Sequence, residues 1–126
     1  MQAAITRPSN DLAIIIKPLH GLVLPVGDVL MGVYIQVGTG DILPADATDT
    51  TKQKAVFVTE IIDVNTIRVQ TVGFWTSVAH GYTIGEYYYI TDAGDGGFST
   101  TPGTINDVGF LVFDVNTLLL IDNRQL

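Results

Sequence analysis

The residues with acid–base or metal chemistry to offer are few and scattered. His20 and His80 stand sixty residues apart. Neither belongs to an H-x-x-x-H or H-E-x-x-H spacing, which aligns two imidazoles on one helix face around a metal. His20 precedes a glycine-containing turn and Ala79-His80-Gly81 is turn-like too, so both read as turn or surface residues. A hydrolytic triad needs a serine or threonine beside a histidine that an acid orients. Ser77 lies three residues before His80, but no nucleophile-elbow pattern surrounds it. Eleven of the 13 acids are aspartates; Glu60 and Glu86 are the only glutamates. Most aspartates stand where turns need a short carboxylate to accept from nearby backbone N–H groups. Glu60 lies in the interior of the strand expected over Ala55–Ile62, and alternation points it outward. The chain has no cysteine, which excludes thiolate zinc sites, disulfides and cysteine nucleophiles.

Asp92-Ala93-Gly94-Asp95-Gly96-Gly97 invites comparison with calcium loops, which need oxygen ligands at several alternating positions and a closing bidentate acid. Two carboxylates and no closing glutamate make it a turn. It fails as a phosphate loop as well, because neither Lys-Ser/Thr nor a helix follows. The expectation is no catalytic residue, no metal site, no cofactor, and a protein that is not an enzyme. Aromatics are the remaining handle: Trp75, Tyr82, Tyr87, Tyr88 and Tyr89 cluster in sequence. On an alternating strand Tyr87 and Tyr89 share one face and Tyr88 takes the other. Such residues fill a core, anchor a subunit contact, or stack on a sugar ring. Core plus intersubunit contact is the preferred reading.

These residues sit on a chain of 126, the length of a single domain. Thirteen acids against 6 bases give a net charge of −7, which repels nucleic-acid phosphates and anionic membranes, so neither is an expected partner. Charged residues make up 15% and hydrophobic ones 47%. That is well short of the usual quarter charged, and it implies surface hidden in an assembly. The longest apolar stretches, Leu12–Ile16 and Leu118–Ile121, are far too short to span a bilayer. Residues 1–11 lack the basic and apolar regions of a secretory leader, which leads us to expect synthesis in the cytoplasm.

Abundant threonine, glycine and aspartate is the composition of strands and turns. Residues 1–11 read as an N-terminal arm and 12–126 as a single all-β domain. Strands are expected over Leu12–Lys17, Val29–Val37 (with Gly32 marking a bulge), Ala55–Ile62, Thr66–Val72, Gly73–His80, Tyr82–Thr91, Val108–Phe113 and Thr117–Ile121. Gly38–Gln53 is a long run of turn formers, read as a mobile loop or a partner contact. In Thr66–Val72, Ile67, Val69 and Thr71 alternate with Thr66, Arg68 and Gln70, one face buried and one wet. The tetrapeptide Asp63-Val64-Asn65-Thr66 recurs fifty-one residues on as Asp114-Val115-Asn116-Thr117, each time between two strands. A type I turn with a left-handed, bulge-forming asparagine fits both. Four matching residues are too short a stretch to establish a duplication. The run Leu118–Ile121 is apolar on both faces, as in a strand central to a sandwich or pressed against another subunit. The expected fold is an antiparallel β-sandwich or small barrel built from hairpins.

Gly85-Glu86-Tyr87-Tyr88-Tyr89-Ile90-Thr91, a glycine turn, Phe98-Ser99-Thr100-Thr101-Pro102, Val108-Gly109-Phe110 and Thr117–Ile121 together resemble a β module of tailed-bacteriophage virion proteins. There a G-x-x-Y-Y-[LI]-[ST] strand leads to a G-G-[FL]-[ST]-T-x-P turn, and V-G and T-L-L strands close the module. The resemblance covers Gly85–Ile121. It implies a fibre, capsid-decoration or tail protein of the virion, trimeric, without catalytic residues, and bound to other capsid or tail proteins. Interface candidates on this reading are Leu118, Leu120, Tyr87, Tyr89 and Trp75. The alternative is a carbohydrate-binding or adhesin-like module that uses Trp75 and the nearby tyrosines. A small β-fold enzyme comes third.

Overall fold

The structure, a computed structural model, describes residues 13–15, 26–63, 66–76 and 80–122. The expected N-terminal arm, His20, Asn65 and Ser77 lie outside the described residues. Among the described residues ten strands form: β1 (Ala13–Ile15), β2 (Gly27–Ile35), β3 (Ile42–Pro44), β4 (Val56–Asp63), β5 (Thr66–Gln70), β6 (Gly73–Thr76), β7 (Tyr87–Ile90), β8 (Phe98–Ser99), β9 (Val108–Asp114) and β10 (Thr117–Leu120). Among the described residues there is no α-helix, only a 3₁₀ turn at Thr50–Lys52. The all-β expectation holds, as two antiparallel sheets packed as a sandwich.

The first sheet runs β1-β5-β4-β2-β3 and the second β6-β10-β9-β7-β8. Counted within each sheet, both orders are first, fifth, fourth, second, third. The chain thus traces the same five-strand path twice, and the repeated D-V-N-T turn sits at the same place in each, between the fourth and fifth strands. Both hairpins close on a two-residue connection, pairing Asp63 with Thr66 and Asp114 with Thr117. In the second, Asp114 Oδ1 accepts the Asn116 N–H at 2.9 Å, an aspartate-led turn. The ladder irregularity there lies between Thr117 and Leu118, beside the turn.

Burial shows which faces meet. On β5, Ile67 and Val69 join Val58 and Ile61 of β4, Met31 and Val33 of β2, and Ile42 of β3 in one buried cluster. Phe57, next to Val58 and so on the opposite face, instead enters the cluster of the second sheet with Phe110, Val112, Leu118 and Leu120. The sheets therefore stack in the same sense: the reverse face of the first lies on the core face of the second. The aromatic layer between them is continuous, with Phe57 stacked on Phe98 (6.1 Å between centroids) and Phe110 meeting Phe98, Tyr82 and Tyr88 within 5.1 Å.

Three expectations change here. Gly32 does not mark the bulge, which falls between Asp28 and Met31. Gly32 permits close approach instead, since a Cβ there would lie 2.5 Å from Ile90 Cδ1. Gln70, expected wet, is buried, and its Nε2 is satisfied by the carbonyls of Val72 (3.0 Å) and Phe74 (3.1 Å). The 38–53 segment carries β3 and then straps the two sheets together. Ala45 N–H donates to Gly32, Ala47 N–H to Thr91, and Gly96 and Ile105 N–H groups donate back to Ala45 and Ala47. Its aspartates organise this path locally, Asp46 accepting from Thr48 and Asp49 from Thr51, backbone and hydroxyl alike.

Candidate functional site

Period-two alternation in sheet two turns Trp75, Leu118, Leu120, Val112, Phe110 and Tyr88 inward. Their sequence neighbours must point the other way. The ladder sets those neighbours in register: Phe74 opposite Leu119, Leu119 opposite Leu111, Leu111 opposite Tyr87. The result is an apolar row across four strands on the reverse face of the second sheet. Phe74 is 59% exposed and Tyr87 47%. Phe113, also 59% exposed, meets Phe74 edge-to-face at 5.4 Å, extending the patch. Thr76, Thr117 and Tyr89 complete the face, and Asp114, the ladder partner of Thr117, brings a carboxylate to its edge. The row Phe74, Leu119, Leu111 and Tyr87 is itself apolar, in a chain of net charge −7.

The five interface candidates divide on this geometry. Tyr87 and Tyr89 lie on the open reverse face. Leu118 and Leu120 do not: they are 0% and 1% exposed inside the core, because β10 is an internal strand whose inward positions fill the space between the sheets. Leu119, between them, is the residue that faces out. Trp75 points inward and is half-buried beneath the edge of the second sheet.

The corresponding row of the first sheet is polar. Asp28 pairs with Glu60, and Glu60 with Arg68, in the same register that sets Tyr87 beside Leu111 and Leu111 beside Leu119. Arg68 Nε donates to Glu60 Oε1 at 2.9 Å. Here the space between the sheets opens as a cleft of about 220 Å³, its other wall formed by Phe74, Trp75 and Thr76 of β6, with Thr59 and Gln70 at its base. The sequence singled out Glu60 and Trp75 separately but carried no sign that they share a cleft. Asp28, Thr59, Arg68, Gln70 and Thr76 were missed, since only the stacking of two sheets brings them together.

Several other titratable groups are engaged in structure. His80 Nδ1 accepts the Tyr82 N–H at 3.0 Å, which makes Nε2 the protonated nitrogen facing the Asp114 carbonyl 2.6 Å away. The imidazole thus pins the 80–82 segment to β9. The Asn116 N–H, then the Thr117 hydroxyl, hold the Asp114 carboxyl below the ordinary carboxylate value. Hydroxyl and backbone bonds from Thr48 and Thr51 do the same for Asp46 and Asp49. Burial, then Tyr88, raises the Tyr82 phenol. In the Asp92–Gly97 turn the carboxylates serve the backbone: Asp92 accepts from the Thr104 N–H and hydroxyl, Asp95 from the Gly97 N–H. Among the described residues no three His, Cys, Asp or Glu side chains gather as a metal set.

No family model, curated protein or solved structure matches this chain.

Proposed function

We propose that the protein is a structural component of a tailed-bacteriophage virion (head fibre, capsid decoration or tail part) that acts by assembly as a homotrimer. The apolar reverse face of the second sheet carries this reading. The corresponding face of the first sheet packs on the second sheet, whereas here Phe74, Tyr87 and Phe113 are exposed and Leu111 and Leu119 half-buried between them. An apolar row across four strands of a sheet, with Asp114 only at its edge, fits a second copy of the chain. The trimeric state and the phage setting rest on the Gly85–Ile121 resemblance. The test is composition of purified particles. Stoichiometric presence of the wild-type chain, lost for Leu119→Asp with its fold intact, is the expected result. Absence of the chain from particles would overturn the reading.

A further inference from the structure

The two sheets act as an internal control for each other. Equivalent ladder positions hold Tyr87, Leu111 and Leu119 in the second sheet but Asp28, Glu60 and Arg68 in the first. The strand path does not demand polar residues there, because its second tracing takes apolar ones. The polar set occurs where the sheets part and the Trp75 indole forms the opposing wall.

We propose that this cleft is a binding site for one neutral hexose ring. Its volume of about 220 Å³ falls below the roughly 300–1,000 Å³ of sites for drug-sized ligands, so it admits a single ring rather than a chain. A pyranose presents an apolar C–H face and an equatorial rim of hydroxyls that both donate and accept. The indole matches the first. Asp28 and Glu60 as acceptors and Arg68 as donor match the second. The charges also select. Glu60 neutralises Arg68 and Asp28 leaves the wall net negative, so an anionic sugar is disfavoured. The cleft shares Phe74 and Thr76 of β6 with the edge of the assembly face, while its polar groups Asp28, Glu60 and Arg68 lie on the other sheet.

Trp75 is the only tryptophan of the chain and lines the cleft, so its fluorescence reads ligand entry there. The full chain would be titrated with glucose, galactose, mannose and N-acetylglucosamine, and separately with glucuronate and methylammonium. The expected result is saturable quenching or shift of Trp75 emission by at least one neutral hexose, with a millimolar dissociation constant. Asp28→Asn and Glu60→Gln, both at half-exposed or exposed positions, should weaken binding about tenfold while the thermal midpoint stays within a few degrees. Three outcomes would overturn the proposal: no saturable response to any neutral sugar, tighter binding of methylammonium or glucuronate, or hexose binding indifferent to both variants. Sedimentation of the same samples reads assembly separately, so failure of the sugar site and failure of the structural role are distinguishable.

Discussion

Three consecutive leucines on β10 should respond to the same substitution in two different ways. Leu118 is fully buried between Trp75 and Val112 on the neighbouring strands, and Leu120 is 1% exposed, whereas Leu119 faces the open side. Leu118→Ala removes core methyl groups and leaves a cavity that strands on both sides hold open. Such changes cost about 2–5 kcal/mol, and this site, flanked by a large aromatic, belongs near 3. Against a domain stability of about 5–15 kcal/mol this is a large fraction, equivalent to a fall of roughly 10 °C in Tm. Leu119→Ala removes the same atoms from a half-wet position and should cost the isolated chain about 1 kcal/mol or less. Its effect should appear in association instead. Tm of the wild type should rise with protein concentration, because an assembly stabilises its folded subunits by mass action. That dependence should shrink in Leu119→Ala and persist in Leu118→Ala. Thermal melts across a hundredfold range of concentration read both effects. Equal Tm losses for the two variants at the lowest concentration would refute the assignment of faces.

Gly96→Ala should be among the most damaging single-methyl changes in the chain. Gly96 has φ of 71°, and an added Cβ would collide with the Gly32 carbonyl and Met31 Cγ at the junction of strap and sheet. A loss of about 2–4 kcal/mol in denaturant unfolding is expected, and a change under 1 would show that the junction yields. His80→Ala should cost about 1–2 kcal/mol through the lost Tyr82 and Asp114 contacts, yet leave assembly intact; loss of assembly by a well-folded His80→Ala protein would contradict the pinning role. Acid should destabilise the fold through Asp46, Asp49 and Asp114. Their folded-state values lie below 3.8, so their contribution is full above about pH 5 and is lost as pH falls through 3.8 and below. Denaturant midpoints between pH 6 and 3 should fall in the wild type and flatten in Asp114→Asn; an unchanged slope would remove Asp114 from the account.

Strand positions were legible because β-branched runs between turn formers leave few other options: all eight expected strands overlap an observed one, while the short β3 and β8 were not expected. The recurrent D-V-N-T turn was also visible, but the twofold tracing of one path was not. Outside that turn, matched positions hold Arg68 against Leu119 and Glu60 against Leu111, pairs with no shared chemistry to betray common topology. The sidedness of Leu118–Ile121 was hidden for a different reason: a run of leucines and isoleucine erases the period-two signal, and only ladder partners show that, of the three leucines, Leu119 alone points out. Gly38–Gln53 misled because aspartate and threonine favour turns without saying what the turns hold together. Here they bend a strap whose backbone bonds join both sheets. The cleft drew on residues from four strands, and no local pattern encodes such a meeting.

Sedimentation equilibrium at micromolar concentration tests the central claim most directly, with the wild type beside Leu119→Asp. The account predicts three times the chain mass of 13.6 kDa for the wild type and a folded 13.6 kDa species for the variant, because a charge placed in the apolar row would be desolvated without a partner. A wild type that sediments only at 13.6 kDa, or a Leu119→Asp protein that assembles as the wild type does, would contradict it.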